Sequence, residues 1–513
     1  MKQKLILLTL FLLLFQWYAR YAVAPAVDFT LDDWAVLRRA EGMTRLSDAW
    51  RMMAQEPDRP VGALSLAFCF RVFGDAPLRY NILGYLANSA CLLALIGIVW
   101  QLTRRLGGVL VAGVFYATLP ILTESYHWPT MICYGFGFAA TSASAYFWLR
   151  YVRDTQWGDW VASVVLFGVS LGNYELGIGL PIAYALAWMW RRPWRSGILA
   201  LLPFGAVVAL YLSWRLTRGF GLAPGLLFVP RTPSFSLYGL FYNARDIVSW
   251  WAGGNMLDAF RQGFNGYAQM PLWPRRWFFM GNVIVVSAVA ALAYRMSRTS
   301  AEKDASLFSP IKTTVWALLW VALTHAPSLV SWTAGRLNLI PAVGMAVAVA
   351  VIFMRFRLAS TLPVFMLWIF MALFSVQGTA YQWKESGVFN RRLHTYLADH
   401  HAQWQDKDVV WFDTRAMRSR VEQGLLAGIG PAPATWAYYG NAGLIRGFAP
   451  SAMLARLVPD GQPIPTAILD TEYSAHCEGE WLIWHERYDP SKPRQTPMEQ
   501  VFRVDCLAAG QTE

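Results

Sequence analysis

The chain has 513 residues, of which 56% are hydrophobic and 15% aromatic, and it contains 26 tryptophans. This composition is too apolar for an ordinary soluble enzyme and indicates a polytopic membrane protein. The formal net charge of +12 does not indicate a nucleic-acid partner, because most lysines and arginines fall in short clusters between apolar runs, as membrane topology requires.

The first apolar run, residues 5–24, follows Lys2 and Lys4 and has no convincing small-residue cleavage site. We therefore interpret it as a retained first span with a cytoplasmic N-terminus rather than a removed signal peptide.

The segment FTLDDW, directly after this run, contains two adjacent carboxylates. Thr30 and Asp33 have the spacing of a capping box, which predicts that a short helix starts here. The Asp33 carboxylate would then be partly committed to hydrogen bonds at the helix start. Asp32 is then the freer carboxylate and the candidate base for a substrate held at the membrane surface. The alternative is that both acids only complement the helix dipole.

Several arginines lie on the outer side of the first span, against the usual bias of positive charge toward the cytoplasm. Anionic lipid or a phosphate ligand would explain them. They are Arg38, Arg39, Arg45, Arg51 and Arg59.

Apolar runs and basic clusters predict about eleven spans, with the N-terminus inside and the C-terminus outside. The predicted spans are about 5–24, 80–102 and 109–122, a fourth ending at 153, then 160–171, 176–190, 197–214, 277–294 and 315–326, a tenth ending at 355, and 358–376. The resulting fold class is an all-α membrane module over residues 1–380, with periplasmic loops at 25–79 and 215–276.

Three further ionisable residues fall at predicted outer span ends, where they are costly unless they face water or a ligand. Glu124 and His127 lie in ESYHWP, and Glu175 lies in NYELG. Each also has a plainer interpretation, since His127 beside Trp128 is typical of the interface and Glu175 could terminate a helix. Because all three residues lie on the outer side of the predicted membrane module, we expect them to contribute to one shared site.

The last part of the chain, residues 381–513, is less apolar and predicts a small periplasmic α/β or α+β domain with strands at 408–413 and 480–486. A disulfide between Cys477 and Cys506 would suit an oxidising periplasm, and two unpaired thiols are the alternative. The sequence contains no CxxC, HExxH, GxGxxG or P-loop signature.

A series of short motifs resembles the integral-membrane glycosyltransferases of the GT-C superfold, and is most similar to the protein O-mannosyltransferase branch and its bacterial relatives. The motifs are LDDW, RPVGALSLAFCFRVFG from Arg59, ILTESYHW, NYELGIGLP from Asn173, and GRLNLIP from Gly335. The resemblance covers roughly residues 1–360.

The resemblance implies inverting transfer of a hexose or pentose from a polyprenyl-phosphate donor to a hydroxyl of a glycan, lipid or protein. It places the enzyme in a bacterial inner membrane, acting on the periplasmic face. No cofactor or metal is required by this scheme, although some members of the superfold use a divalent metal.

The resemblance also suggests roles for individual residues. Asp32 would be the base, with Asp33 as helper or alternative. Arg59 and Arg336 would meet the donor phosphate, although Arg336 could instead be an interfacial anchor. The acceptor or sugar pocket would be shaped by Glu124, His127 and Glu175.

Two other functions involve the same lipid carrier. A transporter or flippase for a lipid-linked glycan would need broken helices and polar residues near the midplane of the membrane, whereas the acids lie at the outer ends. A polymerase or ligase of O-antigen type is the other alternative, and the early aspartate pair favours the sugar transferase over it.

Overall fold

The computed structural model describes most of the chain. The described residues are 2–30, 59–217, 237–297, 306–329, 335–356, 358–413, 456–458, 464–469, 473–486 and 489–505, together with Asp33, Leu37, Ala40, Asp48 and Leu454.

The described part of the chain is mostly helical, and we number its α-helices in chain order. They are α1 (Lys2–Arg20), α2 (Pro60–Phe73), α3 (Pro77–Thr103), α4 (Leu106–Thr118), α5 (Thr123–His127), α6 (Ile132–Asp154), α7 (Trp157–Asn173), α8 (Leu180–Met189), α9 (Trp194–Thr217), α10 (Leu237–Ala252), α11 (Gly254–Gln269), α12 (Leu272–Ser297), α13 (Pro310–Leu329), α14 (Leu339–Arg355), α15 (Leu358–Asp399) and α16 (His401–Trp404). Short 3-10 turns lie at Pro120–Leu122, Pro129–Met131, Glu175–Gly177 and Gly335–Asn338.

Four of the described helices, α3, α9, α12 and α15, are long and apolar enough to cross a membrane alone. A fifth span results if α4 and Pro120–His127, which are bent by 58° relative to each other, count as one broken span. The predicted number of eleven is therefore not confirmed. Apolar helices such as α8, with 10 residues, and α14, with 17, are shorter than the ~20 residues of a straight span.

Three large tryptophans in the interior of the bundle donate hydrogen bonds from their indole nitrogens. Trp148, Trp316 and Trp320 are fully buried. The Nε1 atoms of Trp148 and Trp316 donate to backbone oxygens of α8 at 3.0 and 3.1 Å, and that of Trp320 donates to a backbone oxygen of α14 at 2.8 Å. Each indole thus adds apolar area and one directional bond that fixes helix register.

The helices α11 and α15 cross with their backbones in contact, at Gly263 and Gly378. A Cβ atom added to Gly378 would lie 1.8 Å from the Gly263 oxygen. Such close crossings between membrane helices depend on small residues.

We expect Gly378→Ala to destabilise the protein by about 1–3 kcal/mol or more, because backbone atoms of α11 cannot move aside as a flexible side chain would. Thermal unfolding of the purified protein in detergent measures the effect. Gly84→Ala in α3 is the matched control, since nothing lies within 4 Å of its added Cβ. An unchanged unfolding temperature in Gly378→Ala would contradict the described crossing.

The helix α15 has 42 residues and is therefore about 63 Å long. It continues without a break past position 380, where the sequence predicts the end of the membrane module. Asp28, in the segment after α1, pairs with Arg391 of this helix at 3.3 Å. The second half of α15 thus lies beside the segment that leads to the aspartate pair.

The C-terminal part contains two three-stranded sheets. The strands are β1 (Val409–Asp413), β2 (Thr466–Leu469), β3 (Tyr473–Glu478), β4 (Trp481–Glu486), β5 (Asp489–Pro497) and β6 (Val501–Asp505). One sheet is parallel in the order β2-β1-β6, and the other is antiparallel in the order β3-β4-β5. Both predicted strands are confirmed, while a separate periplasmic domain stays a prediction.

Cys477 is an exposed free thiol in β3, and its Sγ atom lies 4.0 Å from the Met498 sulfur. The other half of the predicted disulfide, Cys506, lies outside the described residues. The disulfide therefore stays a prediction.

Candidate active site

The Asp33 carboxylate is fully buried and forms the carboxylate half of a capping box. Its Oδ2 atom accepts a hydrogen bond from the Thr30 backbone N–H at 2.7 Å, and the Asp33 N–H donates to the Thr30 oxygen at 2.9 Å. This half of the capping box is the one predicted from the Thr30 to Asp33 spacing, whereas the Thr30 hydroxyl has no hydrogen-bond partner among the described residues.

The other oxygen of this carboxylate reaches a distant part of the chain. Oδ1 of Asp33 accepts from Trp128 Nε1 at 2.9 Å and from the Thr130 backbone N–H at 3.0 Å. With three donors, the carboxylate ties the segment after α1 to the turn Pro129–Met131. Asp33 is therefore a structural clamp of this region.

Asp32 lies outside the described residues, so its position at the site stays a prediction. The described bonds of Asp33 use most of the acceptor capacity of a carboxylate, so Asp32 is the better candidate for the base. Of the two acids, Asp33 is the one committed to structure.

Glu124 and His127 both lie on the short helix α5 and are buried. This helix follows the break at Pro120, a residue that interrupts a helix because it lacks an N–H and its ring crowds the preceding turn. The His127 ring packs against Tyr21 with centroids 5.8 Å apart. Neither ring nitrogen of His127 has a hydrogen-bond partner among the described residues.

Arg59 and Glu175 form an ion pair, although they are far apart in the sequence. The Arg59 Nε atom is 3.8 Å from Glu175 Oε2, and the side chains are 19% and 4% exposed, respectively. The guanidinium also lies 4.2 Å above the centre of the Tyr174 ring. Arg59 is thus held by an anion and an aromatic face, with part of its side chain open to solvent.

The pair forms because three helices meet at Asn173, the last residue of α7. Gly137 of α6 lets Asn173 approach so closely that an added Cβ would lie 2.4 Å from the Asn173 Cβ. Arg59 directly precedes α2, whose Pro60 occupies the first helical position, a favoured place for proline. Glu175 begins the turn that follows α7.

The Asp33 clamp and the Arg59–Glu175 pair lie at the same end of α6. The clamp holds the turn that ends at Met131, and the pair stands beside Gly137 and Phe138, whose ring is 5.6 Å from that of Tyr174. Seven residues of helix separate the two places, about 10 Å along the axis. Both groups therefore belong to one end of the bundle.

Arg336 lies in the 3-10 turn Gly335–Asn338, which contacts the helix that carries Glu124 and His127. Its side chain lies outside the described part of the structure, so its proposed contact with a phosphate stays a prediction.

Arg20 is a residue of this region that the sequence analysis missed. It is fully buried, donates from Nε to the Ala117 oxygen at 2.8 Å and from Nη2 to the Leu119 oxygen at 2.6 Å, and lies 4.4 Å above the Tyr126 ring. It therefore stabilises the break after α4, where the Leu119 oxygen also accepts from the Leu122 N–H at 3.2 Å. An arginine at the end of a span usually indicates an interfacial position, so the sequence offered no signal for this role.

The sequence analysis also missed Trp128 as a partner of Asp33 and Tyr174 as a partner of Arg59. Both stand next to predicted residues, in ESYHWP and NYELG. Adjacency to a candidate ionisable group was the available signal.

No group of three or more His, Cys, Asp or Glu side chains that could hold a metal occurs among the described residues. Because Asp32 is not among them, independence from metal remains a prediction.

These features define a helical membrane protein with buried acids, a histidine and an arginine gathered at one end of its bundle. A family model described as dolichyl-phosphate-mannose-protein mannosyltransferase matches residues 55–214. The match extends from just before α2 to α9 and includes Arg59, Glu124, His127 and Glu175. It covers less than half of the chain, and over this part it confirms the resemblance inferred from the motifs. No curated protein matches the chain significantly.

Proposed function

We propose that the protein is a membrane glycosyltransferase that moves a sugar from a polyprenyl-phosphate-linked donor to a hydroxyl acceptor on the periplasmic face, with inversion at the anomeric carbon. The observation that carries the proposal is the mannosyltransferase family match over residues 55–214. Four of the proposed site residues lie in the matched part, and they gather at one end of α6.

In the proposed reaction, Asp32 accepts the proton of the acceptor hydroxyl as its oxygen attacks the anomeric carbon. The bond from that carbon to the phosphate oxygen breaks, and polyprenyl phosphate leaves with the bonding electron pair. Arg336 and the open side of Arg59 stabilise the negative charge that develops on the phosphate.

The remaining residues hold the site in shape. Asp33 fixes the segment that carries Asp32 against the turn after α5, and Glu175 orients Arg59 through the ion pair. Glu124 and His127, on the helix next to this turn, would contribute to the acceptor or sugar pocket.

The distribution of charge supports a periplasmic position for the site. Basic residues mark the other end of the helices, with Arg104 and Arg105 between α3 and α4, Lys312 in α13, and Arg355 at the end of α14. Such an excess is typical of cytoplasmic ends.

Reporter fusions test this orientation. We expect fusions at Arg105 and Arg192 to report the cytoplasm, and fusions at Gly263 and Gly440 to report the periplasm. A cytoplasmic signal at Gly263 would contradict a periplasmic site.

Arg336→Lys tests the phosphate contact, because lysine preserves charge and interfacial anchoring but cannot bind a phosphate through two parallel N–H groups. We expect unchanged membrane levels and a clear loss of transfer that is larger at limiting donor than at limiting acceptor. Full activity in Arg336→Lys would show that Arg336 is an interfacial anchor and not a phosphate ligand.

The function itself is tested by mass spectrometry of surface glycans, lipid A and secreted proteins from cells with and without the gene. We expect loss of one hexose or pentose from one of these products, with restoration by the wild-type gene and not by Asp32→Asn. Identical products from both strains would contradict the proposal.

A further inference from the structure

A cavity of about 510 Å³ lies at the opposite end of the bundle from the candidate active site. It is formed where α3 and α14 end and where α4 and α13 begin. Thr103, Arg105, Phe308, Thr313 and Arg355 are among its lining residues.

The distance from the candidate site places this cavity at the other membrane surface. The helix α3 begins at Pro77 and ends at Thr103. In its first turns, the Asn81 side chain donates to the Val27 oxygen at 2.8 Å, in the segment before the aspartate pair. The 27 residues of α3 span about 40 Å, close to the thickness of a bilayer with its headgroup regions.

The wall of the cavity between α12 and α13 is fixed by contacts to other helices. The Leu307 N–H donates to the Gln101 oxygen at 3.2 Å, and the Phe308 ring meets Trp190 edge-on at 5.2 Å. The Lys312 ammonium lies 5.7 Å from the centre of the same indole. The wall is therefore a packed part of the fold.

Two exposed arginines, Arg105 and Arg355, supply the charge of the cavity, and no acidic residue occurs among its described lining residues. The hydroxyl protons of Thr103 and Thr313 are used internally, because both side chains donate to backbone oxygens one turn earlier, at 2.8 and 3.1 Å. The guanidinium groups are thus the charged donors available to an anion, beside the hydroxyl groups of Ser306 and Ser309 in the same lining.

A narrower apolar groove of about 220 Å³ continues from the cavity along the outside of the bundle. It shares Arg355 and Ile311 with the cavity and extends to Val315 and Ile352. The side chains of Ile311, Val315 and Ile352 are 66%, 47% and 46% exposed, respectively, as expected for a surface that faces lipid chains. The cationic end matches an anionic headgroup, and the apolar groove matches an acyl chain. Together they are complementary to a lipid.

We propose that this composite pocket binds one anionic phospholipid of the surrounding membrane. Arg105 and Arg355 hold the headgroup phosphate, and an acyl chain lies in the groove between α13 and α14. Basic pockets between membrane helices are a recurrent way of binding anionic headgroups. This site is independent of the proposed transferase activity.

Native mass spectrometry of the purified protein with equal amounts of phosphatidylglycerol and phosphatidylcholine tests the proposal. We expect the wild type to retain phosphatidylglycerol preferentially, and the pair Arg105→Gln with Arg355→Gln to lose that preference, by roughly fivefold for each arginine. Ile352→Trp, which fills the groove and leaves both arginines in place, should weaken retention of phosphatidylglycerol and not of its water-soluble headgroup, glycerol phosphate.

The matched control is the pair Arg195→Gln with Arg295→Gln, two exposed arginines at other helix ends that are outside the described cavity lining. It should retain the wild-type preference. Equal retention of both lipids by the wild type, or an unchanged preference in the Arg105 and Arg355 double variant, would overturn the proposal. Preferential retention of added polyprenyl phosphate over phosphatidylglycerol at the same two arginines would also overturn it, because the site would then belong to the carrier lipid.

Discussion

Asp32→Asn is expected to lower sugar transfer by about 10²- to 10⁴-fold, the usual contribution of a general base. The asparagine keeps the shape of the side chain and can still form hydrogen bonds, but it cannot accept the proton of the acceptor hydroxyl. Membrane level and unfolding temperature should stay at wild-type values. The measurement is the initial rate of transfer from a polyprenyl-phosphate-linked sugar at saturating donor.

Asp28→Asn is a suitable control for this experiment, since Asp28 lies a few residues earlier in the same segment and its described partner is the distant Arg391. It should transfer at a rate close to wild type. If Asp32→Asn matched this control, Asp32 would not be the base.

Asp33→Ala is expected to destabilise the protein by about 3–5 kcal/mol. The substitution leaves the Trp128 indole N–H and the backbone N–H groups of Thr30 and Thr130 without their acceptor. Each buried donor without a partner costs about 1–3 kcal/mol, and rearrangement recovers part of the sum. The yield of folded protein and its unfolding temperature in detergent measure the loss.

Asp28→Ala again supplies the comparison, because it removes a carboxylate whose partner Arg391 is mostly exposed. Exposed ion pairs contribute about 0–1 kcal/mol, so this variant should unfold near the wild-type temperature. Asp33→Asn should lie between the two, since its oxygen can still accept from Trp128 and Thr130 while its amide meets the Thr30 N–H. A wild-type unfolding temperature in Asp33→Ala would mean that the clamp does not hold the site.

The contrast between the two aspartates shows what local sequence can predict. The capping box depends on residues three positions apart, so the Thr30 to Asp33 bond could be predicted from spacing alone. The second half of the clamp, from Trp128, comes from 95 residues away and no local pattern indicates it. The same holds for the pairing of Arg59 with Glu175, where the sequence predicted both residues at the site but not their contact.

The number of spans could not be predicted from apolar runs, because hydropathy does not report whether a run forms one straight helix. The run before His127 is broken at Pro120, and Arg20 stabilises the break through carbonyl groups that only the folded chain brings near. The strands around 409–413 and 481–486 were predictable, since β-branched and aromatic residues are enriched there. Their arrangement into one parallel and one antiparallel sheet depends on pairing between distant segments.

The fate of the bond between sugar and phosphate distinguishes the proposed transferase from a transporter. The purified protein is placed in liposomes with a polyprenyl-phosphate donor labelled in its hexose or pentose, together with an envelope extract as acceptor. We expect the wild type to move the label into the extract and to release polyprenyl phosphate, and folded Asp32→Asn to leave the label on the lipid. Passage of the donor across the bilayer with the sugar–phosphate bond intact, and no label in the extract, would contradict it and identify a transporter.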